Sequence, residues 1–144
     1  MYTHVEITHD ITLQEGIIGC IIAAAYANGH PSPEDYDRMI DVIAGRELFL
    51  DTDIMKLIRN QMALRYVLED ETFLKISCEK VADEWKLPVF SMACHLILDS
   101  RLSPKAMRFL RAIKNELQLE NVKEIVEVMQ WLHKDKHRIT INNI

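Results

Sequence analysis

The chain is poor in the residues that interrupt helices. It holds only 4 Gly and 4 Pro in 144 residues, so long periodic segments are permitted and no linker or low-complexity tract divides it. Cysteine is scarce and odd in number. Cys20, Cys78 and Cys94 are widely spaced, each within an apolar helical pattern. No Cys-x-x-Cys pair occurs, which argues against a disulfide framework or a structural zinc site and for reduced, buried thiols in a cytosolic protein. No apolar run approaches the ~20 residues that a membrane helix needs. The N-terminal MYTHVEITHD lacks the basic-then-apolar pattern of a signal peptide. Positive charge is in deficit: 17 Lys and Arg against 22 Asp and Glu give −5, which opposes whole-surface binding to nucleic acid or anionic membrane. There is no Gly-rich phosphate loop and no nucleophile elbow.

What is present is helical periodicity. The length suits one domain, and a composition 49% hydrophobic and 27% charged suits a globular one with a real core. GIIGCIIAAAYA, residues 16–27, is uncharged and apolar on every side, and a helix of that kind must be surrounded by protein. Thr12 and Glu15 form a capping box at its start, and Asn28-Gly29 ends it. Ser32 and Pro33 open a second helix to about Ala44, with Glu34 and Asp35 in its first turn. A third helix begins near Asp53. A fourth starts near Thr72, with Leu74, Cys78, Val81, Ala82 and Trp85 in register, and Pro88 marks the start of a fifth. Residues 89–98, VFSMACHLIL, make this a second central helix. A sixth follows Ser103-Pro104, and a seventh begins at Asn121, where Asn121 and Glu124 repeat the capping-box pattern. Strand patterning is absent from the body of the chain. Short N- and C-terminal arms carry alternating apolar residues that suit pairing with each other. The expectation is one all-α domain of about seven helices, its core over residues 12–133.

Two segments match: YANGHPSPEDYDRMIDVI, and LILDSRLSPKAMRFLRAIK. Each joins an apolar helix through a short turn to Ser-Pro and an amphipathic helix. A repeated helical hairpin implies two pseudo-symmetric units packed around a central buried helix pair. The copies differ in charge. The first amphipathic helix carries Glu34, Asp35, Asp37 and Asp41; the second carries Lys105, Arg108, Arg111 and Lys114, with Arg101 just ahead. These are either two solvated faces or a pair of docking surfaces for self-association or a charged partner.

The Ala-Asn-Gly at 27–29, followed by Ser-Pro-Glu-Asp at 32–35 and by a second copy at the expected distance, is similar to the tellurite-resistance TerB-like domain family. The resemblance spans residues 12–133. It implies an all-α domain with an internal helical repeat, found in cytoplasmic bacterial proteins tied to stress responses and to protein partners such as J-domain chaperones. It also implies a divalent cation, Ca or Mg, held by acids of the inter-helix loops. Carried onto this chain, the ligand positions are Asn28, Glu34, Asp35 and Asp99. The chain departs from the family pattern in placing an amide at 28, Ser100 in place of Gly, and Lys105 and Ala106 in place of acids.

Among the histidines only His95 sits inside an apolar helix, one turn before Asp99. The two share a helix face as a ligand pair or as a hydrogen-bonded histidine. Cys94 points about 100° away from His95, which opposes a nucleophile–base pair. Three functions follow. The first is a non-catalytic, cytoplasmic TerB-like scaffold that binds a protein partner. The second is a helical module taking nucleic acid or another anionic partner on Arg101, Lys105, Arg108, Arg111 and Lys114, opposed by the net charge and by the lack of aromatics interleaved with that stripe. The third is a metal-dependent enzyme, which requires His95, Asp99 and Glu34 or Asp35 to converge.

Overall fold

The computed structural model describes residues 11–100 and 102–132. Among them the chain is all-helical, with no strand and seven α-helices. These are α1 (Leu13–Ala25), α2 (Pro33–Ile43), α3 (Ile54–Val67), α4 (Asp70–Glu79), α5 (Asp83–Asp99), α6 (Pro104–Glu116) and α7 (Lys123–Leu132), with a 3₁₀ turn at Glu47–Phe49. The expected pairing of the terminal arms falls outside the described residues. None of the described helices is long and apolar enough to cross a membrane.

α1 is the hub. It packs against α2, α3, α4, α5 and α6, and this is why its sequence is apolar all round: every residue from Gly16 to Ile22 is buried. The Thr12 cap forms in full, with the Glu15 amide donating to Thr12 Oγ1 at 3.1 Å and the Thr12 amide to Glu15 Oε1 at 3.1 Å. The other carboxylate oxygen, Oε2, accepts from Gln61 Nε2 of α3 at 3.2 Å, so one side chain both caps α1 and ties it to a neighbour. α1 stops at Ala25, and the chain turns through Tyr26 to Gly29, whose φ of 112° a side chain would resist.

α4 comes closest to α1. A Cβ on Gly16 would lie 2.7 Å from Lys80 Cβ, and one on Gly19 would lie 2.2 Å from Ser77 Oγ. Two glycines one turn apart on α1 therefore form the seat for α4. Cys20 and Cys78 meet just beside this seam, with their sulfurs 3.7 Å apart. All three cysteines are reduced and buried. The contact between Cys20 and Cys78, together with burial, holds the Cys20 thiol well above its ordinary pKa, and burial pushes Cys94 up to about 12.

α5 is the second buried helix. It packs on α1, α2, α6 and α7, and buries Val89, Phe90 and Leu96 to Leu98 along with the Met92–Cys94 step. Two of its expected boundaries differ. α4 ends at Glu79 and does not reach Trp85. α5 begins at Asp83, with Ala82 in the cap position and no side-chain cap, and runs through Pro88 instead of starting there. Asp83 and Glu84 occupy the positive first turn, and Pro88, which leaves the Glu84 carbonyl without its helical donor, is solvent-exposed. α7 likewise begins at Lys123, not Asn121. The Val122 carbonyl accepts the first helical bond, from the Val126 amide at 3.0 Å, which gives Val122 the cap position.

Candidate functional site

The two hairpin turns meet. Ser32 and Ser103 both cap their helices, accepting from the Asp35 amide (3.2 Å) and the Ala106 amide (3.0 Å), with Pro33 and Pro104 in the first turn of each. The Ser103 hydroxyl also donates to Asn28 Oδ1, and the Ser100 hydroxyl donates to the Asp35 carboxylate. Asn28, Asp35 and Ser100 flank a cleft of only about 10 Å³, floored by Ala24 and Ile97. Two of the four expected cation ligands are thus brought together, but as acceptors in a hydroxyl latch between the turns.

The other two, Glu34 and Asp99, do not line that cleft. Glu34 is exposed on α2. Asp99 Oδ2 receives His95 Nε2 at 3.3 Å, and the His95 ring lines a different cavity, with Arg46 and Trp85. Among the described residues no three His, Cys, Asp or Glu side chains cluster so as to hold a metal ion. Calcium takes six to eight oxygen ligands, and a 10 Å³ space is about one water probe. The cation that the resemblance implies therefore does not fit these residues as arranged. Chelator-stripped protein is expected to melt at the same temperature with and without Ca²⁺ or Mg²⁺. A rise in melting temperature abolished by Asp35→Asn would show instead that a metal displaces the serines.

Asp35 titrates as a latch residue should. Partial burial alone would push its carboxyl up, but the Ser32 amide (2.9 Å) and hydroxyl, the Arg38 guanidinium (3.6 Å) and the Ser100 hydroxyl outweigh it. Together they hold the group below its ordinary value of 3.8. A depressed carboxylate contributes stability above its unfolded pKa and loses it as pH falls through the folded one. Acid melts between about pH 5 and pH 2.5 should therefore destabilise the parent more steeply than Asp35→Asn. Equal slopes would remove Asp35 from the account.

The larger site is a groove of about 360 Å³ between α1, α4 and α6, with Arg65 of α3 at one end. Its floor is apolar: Ala23, Phe73, Leu74 and Phe109. Lys105 and Arg108 of the basic stripe stand on its rim; both are exposed and neither makes an ion pair among the described residues. Arg65 is fixed from two sides, its Cζ 3.5 Å from the centre of the Tyr26 ring and its Nη2 3.1 Å from Asp70. Tyr26 is held in turn by the Tyr36 hydroxyl at 3.1 Å. Desolvation and that hydroxyl push Tyr26 up to about 12, against the pull of Arg65. With Arg65 balanced by Asp70, the two rim cations face Glu71 as the remaining acid of the groove.

Of the expected basic stripe, Lys105 and Arg108 line the groove. Arg111 and Lys114 of the expected stripe do not line the groove, and Arg101 lies outside the described residues. Tyr26 comes from the turn after α1, Arg65 from α3 and Phe73 from α4, and no spacing in the chain links them to α6. Phe109, partly buried against the core, also forms part of the groove floor.

Compared with family profiles, curated proteins and solved structures, the chain matches none.

Proposed function

We propose that the chain is a non-catalytic, TerB-like helical module of a bacterial stress response that docks an acidic, amphipathic segment of a protein partner in the groove between α1, α4 and α6. The observation that carries the reading is the pairing of an apolar floor, Phe73, Leu74 and Phe109, with the exposed cations Lys105 and Arg108 at its edge. Apolar side chains of a partner would fill the groove, and its carboxylates would meet the rim. Rim charges act mostly on association rate and salt dependence, and the buried floor supplies the affinity. The two-hairpin repeat belongs to the same proposal, supported by the matched Ser-Pro caps and by the hydroxyl latch that joins the turns.

The test is binding of a fluorescent peptide alternating Glu with Leu and Phe, read by anisotropy at low and high salt. Binding is expected to weaken about tenfold or more in Lys105→Glu plus Arg108→Glu, and with rising salt. Unchanged affinity in the double variant would overturn the reading. Nucleic acid is the alternative occupant of the same cations. Tighter binding of a single-stranded oligonucleotide than of the peptide, with a steep salt slope and the same sensitivity to the double variant, would favour it.

A further inference from the structure

A second cavity lies elsewhere in the molecule, bounded by residues of α2, α5 and α7 together with Arg46, and has a volume of about 320 Å³. That is within the range of small-molecule pockets. Trp85, Pro88, Met92 and Met129 form its walls. An indole and two thioethers make an apolar, polarisable lining that adapts to the shape of a guest. Three polar residues also line it: Arg46, His95 and Ser91. Among the described residues no acidic side chain lines it.

The two nitrogenous groups are positioned, each by a bond on one side. Arg46 Nε donates to the Val42 carbonyl at 3.0 Å, which anchors the guanidinium at the end of α2. Its terminal nitrogens make no ion pair among the described residues. His95 Nε2 is held by Asp99 at 3.3 Å, which fixes the ring at the cavity wall. A guanidinium fork matches a carboxylate with two parallel hydrogen bonds. Apolar walls closing on a single cationic fork suit a ligand with one charge and a hydrocarbon body.

We infer that this cavity binds a small apolar monocarboxylate, its acid group on Arg46 and its hydrocarbon part against Trp85, Met92 and Met129. The site is independent of the peptide groove, with which it shares no lining residue.

The chain supplies its own reporter. It has 2 Trp, and Trp131 is 78% exposed and not among the cavity's lining residues. The full chain carrying Trp131→Phe therefore reports on Trp85 alone. Titration with octanoate is expected to give a saturable change in its emission, and octanol and octylamine should bind at least about tenfold more weakly. Arg46→Gln should bring octanoate down to the level of octanol. Arg46 is an exposed residue, so this variant should fold normally. Lys105→Glu plus Arg108→Glu should leave octanoate binding unchanged. Equal binding of all three compounds, no effect of Arg46→Gln, loss of octanoate binding in the Lys105/Arg108 variant, or no saturable response below about 5 mM would each overturn the inference.

Discussion

Gly19→Ala should destabilise the chain by about 3 kcal/mol, among the larger effects of any single added methyl group. The new Cβ would lie 2.2 Å from Ser77 Oγ and 2.9 Å from Ser77 Cβ, with Phe73 Cζ next at 3.5 Å. Ser77 is fully buried, and Phe73 is 1% exposed. Neither side can yield without moving α4 away from α1. For a chain of this size the melting temperature should fall by about 10 °C. The cause is steric, so it can be relieved from the other side: Ser77→Gly in the Gly19→Ala background should recover part of the loss. Ser77→Ala alone should be close to neutral, because its hydroxyl is buried without a partner among the described residues and forfeits no hydrogen bond. A Gly19→Ala protein melting within about 2 °C of the parent would show that α4 is not seated as described.

Phe73→Ala should cost about 3–5 kcal/mol, the range for removing a fully buried aromatic ring. The ring belongs to the core and also forms the floor of the groove. The substitution therefore tests both. Well below its melting temperature, the folded Phe73→Ala protein should still bind the acidic peptide more weakly than the parent, with an unchanged salt slope, because the rim cations remain. Lys105→Glu plus Arg108→Glu should show the opposite pattern: near-parental stability, since both side chains are exposed, and a flattened salt slope. If Phe73→Ala lowers stability but leaves peptide affinity untouched, the peptide does not use the groove.

Much of this architecture is legible from local chemistry. The Thr12–Glu15 box and the Ser-Pro caps at 32 and 103 fall where short-range hydrogen bonding demands them. The uncharged stretch at 16–27 becomes the hub because no other position suits a helix without a polar face. The break between α4 and α5 is illegible for the same kind of reason. Lys80, Val81 and Ala82 contain no Gly or Pro, and the apolar rhythm carries across them to Trp85. Pro88 then attracts the boundary, because a proline is a strong start signal wherever packing does not intervene. Sites are harder to read than helices. Arg65 reaches Tyr26 across 39 positions of sequence, and nothing local records that contact. Asn28 and Asp35 are metal ligands only as the family resemblance implies; the approach of Ser100 and Ser103 shows what their oxygens accept.

The position of α1 at the hub bears on how the protein is made. Synthesis runs from N- to C-terminus, so α1 emerges before every helix that packs on it. Its partners α4 and α5 are complete only about 70 residues later. At ribosomal rates of about 5–20 residues per second that delay lasts roughly 4–14 s. During it the nascent chain presents an uncharged, isoleucine-rich segment with only α2 and α3 to cover it, the kind of surface that holdase chaperones shield and that otherwise aggregates. The protein is therefore expected to depend on such shielding while it is being translated far more than when refolded from denaturant, where all seven helices are present from the start.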